Sequence, residues 1–244
     1  MDATYRIKAI VLRRADFGEY NTKVCVYSRE KGMQELIARG TKKLKSKLAG
    51  HLEPFCLSEI MVISGKQYNY IGAAVSQNCF LNIKNDLDKI LAVGSVFNVT
   101  RSMLREELDD ENVYILLNEY LKLINSKFKN EIDYEYINSI YILKLLSALG
   151  HRPQVHKCTE CGSKLKSGKN YFSLENGGVV CLECSQNWKS SSNNKFLTIS
   201  EPCVKVLRLI IDMSLSDVLK VKITKQNIKE IKNITSTFLK YQKS

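Results

Sequence analysis

Apolar positions along the first eighty or so residues recur with a period of two, and those of the following seventy with a period near 3.6. Residues 5–12 (YRIKAIVL) mix alternation with an unbroken apolar run, and residues 22–27 (TKVCVY) follow a turn at Asp16-Phe17-Gly18-Glu19. A third segment spans 33–38 and ends at Arg39-Gly40. A fourth covers 55–63, and Ser64-Gly65-Lys66 turns the chain into 67–71. Alternation bounded by Gly and Ser predicts strands.

Five short strands in so few residues suit a small closed barrel. The five-stranded OB-fold is the commonest nucleic-acid-binding form, and an SH3-like barrel fits the same pattern. Beyond Asn85, Leu87, Ile90, Leu91, Phe97, Met103 and Leu104 mark one helical region; Val113, Leu116, Leu117, Tyr120, Leu121 and Ile124 mark a second. Asp109-Asp110-Glu111 precedes the second helix, where negative charge meets free N–H groups. A third helix is predicted over 134–149 with Ile137, Ile140, Tyr141 and Leu145 on one side, stopped by Gly150. Ser200 caps another, with Pro202 in its first turn. A last helix runs from about Asn227 with Ile228, Ile231, Ile234, Phe238 and Tyr241 on one face. Residues 187–195 are Ser- and Asn-rich and read as a loop.

The fold class expected is therefore α+β. An OB-fold domain over 1–80 precedes an all-helical domain over 81–244 that carries a metal module at about 155–190. That module rests on Cys158, Cys161, Cys181 and Cys184, a C-x₂-C…C-x₂-C quartet. Each C-x₂-C step places two thiolates on one side of a tight turn, and two steps complete the tetrahedral S₄ cage that zinc prefers. Residues 171–174 and 179–180 read as two strands around Glu175-Asn176-Gly177-Gly178, a zinc ribbon pattern. One structural Zn²⁺ per chain is expected, with no position left for catalytic water. The alternatives are two disulfides, an iron–sulfur cluster or a redox pair; His151 and His156 would serve only if a cysteine were missing. Cys25, Cys56, Cys79 and Cys203 sit in apolar surroundings and read as buried small hydrophobes.

Composition changes this picture mainly through charge. The 244 residues are 44% hydrophobic and 25% charged, with a formal net charge of +12. Residues 1–80 hold 13 Lys or Arg against 7 Asp or Glu, whereas residues 81–150 hold 8 against 11. Residues 151–200 hold 7 against 3 and residues 201–244 hold 9 against 4, so both ends of the chain are basic around an acidic middle, a surface that favours phosphate backbones. Its densest run is Arg39, Lys42, Lys43, Lys45 and Lys47, five cations in nine residues without an acid. The run lies between two predicted strands, where loops of an OB-fold grip nucleic acid. Arg13, Arg14 and Lys23 extend the track, and Phe17, Tyr20, Tyr27, Tyr68 and Tyr70 are the aromatics available for stacking bases.

No catalytic constellation stands out: there is no phosphate-binding Gly-rich loop, no dinucleotide fingerprint and no H-E-x-x-H. Glu106, Glu107 and the acids at 109–111 read as solvated helix-end residues, and His51 as a turn or surface residue. The chain is expected not to be an enzyme. No apolar leader or membrane span is evident, so a cytoplasmic protein is expected.

The order of these features resembles the RecO family of bacterial recombination mediators. The resemblance is carried by 8–13 (KAIVLR), Gly18-Glu19, Arg39-Gly40 with Lys42-Lys43, and Leu52-Glu53-Pro54-Phe55. Farther on it continues through Leu145-Leu146, Leu149-Gly150, the quartet and 177–181 (GGVVC), and so covers essentially the whole chain. It implies an OB-fold followed by a helical, zinc-bearing domain, and binding to single- and double-stranded DNA. It further implies annealing of complementary strands, and work with RecR, in many bacteria also RecF, to load RecA onto DNA coated by single-stranded DNA-binding protein. The family's basic patch corresponds to Arg13, Arg14, Arg39, Lys42, Lys43, Lys45 and Lys47. The C-terminal tail of the single-stranded DNA-binding protein would dock on the helical domain, with Lys205 and Arg208 as candidates. The competing readings are an RNA-binding zinc ribbon protein of transcription or translation, and a nuclease using Glu106 or Asp110.

Overall fold

Strand β1 (Thr4–Phe17) is long enough to serve two neighbours. Its first half pairs with β4 (Leu57–Ile63) and its second half with β2 (Asn21–Ser28), the register shifting between Val11 and Arg13. Such a bulge bends one strand between two partners. With β3 (Gly32–Ala38) and β5 (Asn69–Asn78), the order is β1-β2-β3-β5-β4, and β4 returns to β1 as in a closed barrel. Ile7, Ala9, Val11, Val24, Val26, Leu36, Ile60 and Val62 form the interior, joined by Leu52 from a 3₁₀ turn at Ala49–Leu52. The apolar run in β1 has a second use: Ile10 and Leu12, on the opposite face, are also buried.

This is a computed structural model, and it describes residues 4–104, 110–126, 133–186 and 196–243. The chain divides into two compact units, Met1–Asn130 and Glu131–Ser244. Residues 106, 107, 109 and 187–195, singled out above as helix-end acids and a loop, lie outside the described residues.

The expected fold class needs correction in two places. The strand pattern predicts a closed five-stranded OB-fold barrel, but the sheet is mixed and its β3–β5 seam is sparsely laced. Those strands run parallel and meet over two residue pairs, Leu36 with Asn69 and Ile37 with Tyr70. Period-two alternation reveals strands; it carries no information on how many rungs join strands distant in sequence. The second correction concerns the C-terminal part, which is not all-helical. There β6 (Asn170–Ser173) pairs with β7 (Gly178–Cys181) on one edge and β8 (Phe196–Ile199) on the other. Four residues directly before a helix cap are too few for a period to register, and β8 becomes a strand because β6 offers it an edge.

In the first unit, α1 (Leu81–Lys84), α2 (Leu87–Met103) and α3 (Glu111–Asn125) follow the sheet. Asp86 caps α2 by accepting from Lys89 N, and Asp110 caps α3 by accepting from Asn112 N. Helix α2 matches its predicted face only in part: the expected Phe97 and, just beyond the helix, Leu104 are buried, joined by Ala92, Val93, Val96 and Thr100, while Leu87 and Leu91 are exposed. The helix is apolar on two sides, and the side with smaller residues packs. Phe97 meets Phe55 at 5.6 Å between ring centroids.

The second unit holds α4 (Tyr134–Ala148), α5 (Leu182–Gln186), α6 (Glu201–Asp212), α7 (Leu215–Val218) and α8 (Lys225–Lys243). Helix α4 packs against α6 and α8, burying Ile137, Ile140, Tyr141 and Leu145. From α8, Ile231, Ile234 and Phe238 are buried, and Phe238 sets its ring edge-on to Phe172 of β6 at 5.3 Å. Cys25 and Cys203 are buried thiols, as their apolar neighbours predict. Cys56 and Cys79 depart from that reading, because pairing of β4 with β5 brings them together as a disulfide. Among the described residues, no helix is long and apolar enough to cross a membrane.

Candidate nucleic-acid interface and metal centre

The basic run is tied down by its neutral members. Gly40 takes a positive φ of 68° as the chain leaves β3, and its N–H donates to Asn21 Oδ1 at 2.9 Å. Thr41 is buried; its hydroxyl meets Thr22 Oγ1 at 2.9 Å and reaches Ala38 O at 3.3 Å. Lys42 N donates to Tyr20 O at 3.1 Å, and Ser46 N to Lys43 O at 2.9 Å. The loop is thereby fixed to the β1–β2 hairpin, while Arg39, Lys42, Lys43, Lys45 and Lys47 remain exposed around a fully exposed Leu44.

Aromatic rings lie among these cations. The Arg39 guanidinium carbon sits 4.0 Å from the centroid of Tyr70, and Lys43 Nζ 5.4 Å from that of Tyr20. Phe17 and Tyr68 pack edge to face at 5.5 Å. The Arg39–Tyr70 stack was not legible in the sequence, since it depends on the β3–β5 seam. Ile37 pairs with Tyr70, which brings the end of β3 beside the start of β5. Beside the same seam is a cavity of about 280 Å³ lined by residues that include Lys23, Gln34, Glu35, Tyr68 and Asn69.

The other sequence candidates divide by their partners. Arg13 is exposed just after the bulge. Arg14 is turned back onto the 3₁₀ turn, donating to Glu53 and, at 3.2 Å, to Ala49 O. Lys42 pairs with Asp16 at 2.8 Å and Lys23 with Glu35 at 2.8 Å. Among the described residues, no acid pairs with Arg13, Arg39, Lys43, Lys45 or Lys47. His51 Nδ1 accepts from Ser76 N at 3.2 Å and faces Ser76 Oγ at 3.0 Å, a clamp between the turn and β5. In the second unit, Arg208 Nε donates to Val155 O at 2.8 Å, and Lys205 pairs with Glu201 at 2.8 Å.

The four cysteines converge as their spacing demands. The sulfurs of Cys158, Cys161, Cys181 and Cys184 all lie within 4.8 Å of one another. The first knuckle closes through Gly162 N to Cys158 O at 3.0 Å, with Gly162 at φ 71°. The second is registered on the first by Cys181 N donating to Cys158 Sγ at 3.4 Å. Gly178 opens β7 against Gln154, and a Cβ there would collide with the Gln154 carbonyl and the Thr159 methyl. Hydrogen bonds from Ser163 bring the Cys161 thiol down to about 6, while the neighbouring sulfurs of Cys181 and Cys161 push Cys184 up. Crowded thiols thus hold protons unevenly until a cation displaces them. Four sulfur donors suit a soft, closed, tetrahedral ion. His156 stands apart from the centre, 3.1 Å from Asp212.

A unit whose β-sheet presents a fixed cationic loop, and a unit carrying four convergent cysteines able to hold a metal ion, point to the class of nucleic-acid-binding proteins with a four-cysteine centre. Comparison with known proteins narrows the class. The family profile "Recombination protein O N terminal" matches residues 1–80, and "Recombination protein O C terminal" matches residues 84–243. The chain belongs to this family, whose members are non-enzymatic DNA-binding recombination mediators. Similar proteins include the DNA repair protein RecO of Desulforamulus reducens, 28% identical over 97% of this chain and 89% of that protein. The DNA repair protein RecO of Dehalococcoides mccartyi is 29% identical over 93% of this chain and 86% of its own length. That of Roseiflexus is 32% identical over 75% and 63%.

Proposed function

We propose that the protein holds single-stranded DNA by its phosphates along Arg13, Arg39, Lys42, Lys43, Lys45 and Lys47, with Arg14 positioning the turn beside them. The observation that carries this reading is the anchored loop: five exposed cations held by Thr41, Gly40 and Lys42 N to the β1–β2 hairpin. Phosphate contacts fix a strand without reading its sequence, so base edges stay open for pairing. Two like-charged strands repel, and a cationic surface lowers the cost of bringing them together. Annealing then requires no bond to be broken. Tyr70 beneath Arg39 and Tyr20 beneath Lys43 supply flat surfaces beside the phosphate track, the combination that single-strand binders use.

In this reading residues 1–80 grip DNA and residues 81–244 meet proteins. RecR and, in many bacteria, RecF are the partners for loading RecA onto DNA coated by single-stranded DNA-binding protein. The acidic, apolar tail of that protein would dock on the helical domain, near Lys205 and Arg208. Zinc held by Cys158, Cys161, Cys181 and Cys184 braces that domain, and at about one ion per chain supplies folding energy and no chemistry.

The test replaces Lys42, Lys43, Lys45 and Lys47 by alanine and measures single-strand affinity across salt concentrations. Four lost phosphate contacts should lower the log–log salt slope by about 3. An unchanged slope in a folded variant overturns the placement. A matched RNA strand in the same titration separates the RNA reading, which needs RNA to bind more tightly. Annealing of DNA coated by single-stranded DNA-binding protein, with and without its tail, tests the partner assignment.

A further inference from the structure

Cys56 and Cys79 lie outside the quartet and outside the DNA track, and the fold holds them together from both sides. Cys56 precedes β4 and Cys79 follows β5, where Leu57 pairs with Asn78; their Cα atoms are 4.0 Å apart. Backbone bonds fix Cys56, whose N donates to Glu53 O at 3.2 Å and whose O accepts from Val11 N at 2.9 Å, while Phe80 N donates to the Asn78 side chain Oδ1 at 2.9 Å across Cys79. Each cysteine has a phenylalanine neighbour in left-handed backbone, Phe55 at φ 70° and Phe80 at φ 43°. Residues other than glycine rarely adopt that conformation, so both bends are set by the surrounding fold. Cys56 is fully buried, whereas Cys79 is partly exposed. Lys84 Nζ stands 3.4 Å from Cys56 Sγ, a cation placed to favour a thiolate there.

We propose that Cys56 and Cys79 form a reversible dithiol–disulfide site whose oxidant is a small-molecule disulfide of the glutathione type and whose reductant is a small dithiol. The partly exposed Cys79 is the point of entry. Its thiolate attacks one sulfur of the small disulfide, expelling one small thiolate and leaving a mixed disulfide on Cys79. The Cys56 thiolate, facing Lys84, then attacks the Cys79 sulfur and expels the second small thiolate. Two electrons pass from the cysteine pair to the reagent, and the two protons leave with the two small thiols. The product ties the approach to β4 to the chain passing from β5 into α1. It differs in character from the quartet, whose sulfurs are occupied when a metal is bound. Reversible exchange of this kind depends on access and on thiolate character, both of which differ between the two cysteines here.

The experiment equilibrates the full-length, zinc-loaded protein with defined ratios of reduced and oxidised glutathione, blocks remaining thiols, and maps disulfides by mass spectrometry without reduction. A peptide pair joined through Cys56 and Cys79, two hydrogens lighter than the dithiol, is expected while zinc content stays constant. Dithiothreitol should reverse it. Cys56→Ser should trap glutathione on Cys79, and Cys79→Ser should leave Cys56 unmodified. Oxidation that joins quartet cysteines while Cys56 and Cys79 remain thiols in the wild type overturns the proposal. So does a Cys56→Ser protein, folded by circular dichroism, that takes up no glutathione at Cys79. Because the wild-type mapping needs no variant, a substitution that fails to fold leaves the test intact.

Discussion

Ser200 shows how much one side chain can carry at the residue scale. Its hydroxyl accepts from Cys203 N at 3.3 Å, capping α6, and donates to Glu230 Oε2 of α8 at 2.8 Å; the same carboxylate accepts from Ser200 N at 3.1 Å. Ser200→Ala should cost about 1–2 kcal/mol in urea denaturation, because it removes a cap and leaves Glu230 with one donor fewer. The cap itself was legible, since Ser-Glu-Pro before an apolar stripe is a local signal. Glu230 was not, because thirty residues separate it from its partner and only the folded helices bring them together. Arg39 and Tyr70 repeat the lesson: the charge of the first could be read from the sequence, while the ring beneath it could not. The quartet was legible for the opposite reason, in that its ligands come as two local pairs and the chemistry of four thiolates restricts what can fill them.

At the scale of elements, α3 matched its apolar spacing in full and α2 only in part. In α3 the predicted Val113, Leu116, Leu117, Tyr120, Leu121 and Ile124 are all buried. In α2 the stripe containing Leu87 and Leu91 faces outward. Phe97→Ala should therefore destabilise the first unit by about 3–5 kcal/mol. Leu91→Ala should change stability by no more than about 0.5 kcal/mol, and equal losses for the two would mean that the helix is rotated. Lys89 explains part of the choice: although charged, it is buried, and its Nζ, near the start of α2, donates at 3.1 Å to the carbonyl of Ser126, the residue that caps the end of α3. Strand β8 and the β3–β5 seam escaped the pattern because each exists through a partner distant in sequence.

The whole molecule is two units with separate cores, one of which includes a four-sulfur centre. Calorimetry should resolve two unfolding transitions, and a chelator strong enough to strip a metal from the four cysteines should lower only that of the second unit. A single transition shifting as one would show the two cores to be thermodynamically merged. Charge also acts at this scale: under the proposed function, the basic excess of residues 1–80 steers the first encounter with DNA. What the loop contributes after that encounter follows from Thr41. A lysine-rich loop without anchors samples many conformations, and gripping a strand would then require it to give up that freedom. Here the buried Thr22–Thr41 contact restricts the loop during folding, before any DNA arrives. If the loop grips DNA as proposed, the uncharged Thr41 within the basic run limits the conformational entropy lost on binding, while its charged neighbours set the salt dependence through the counterions they release.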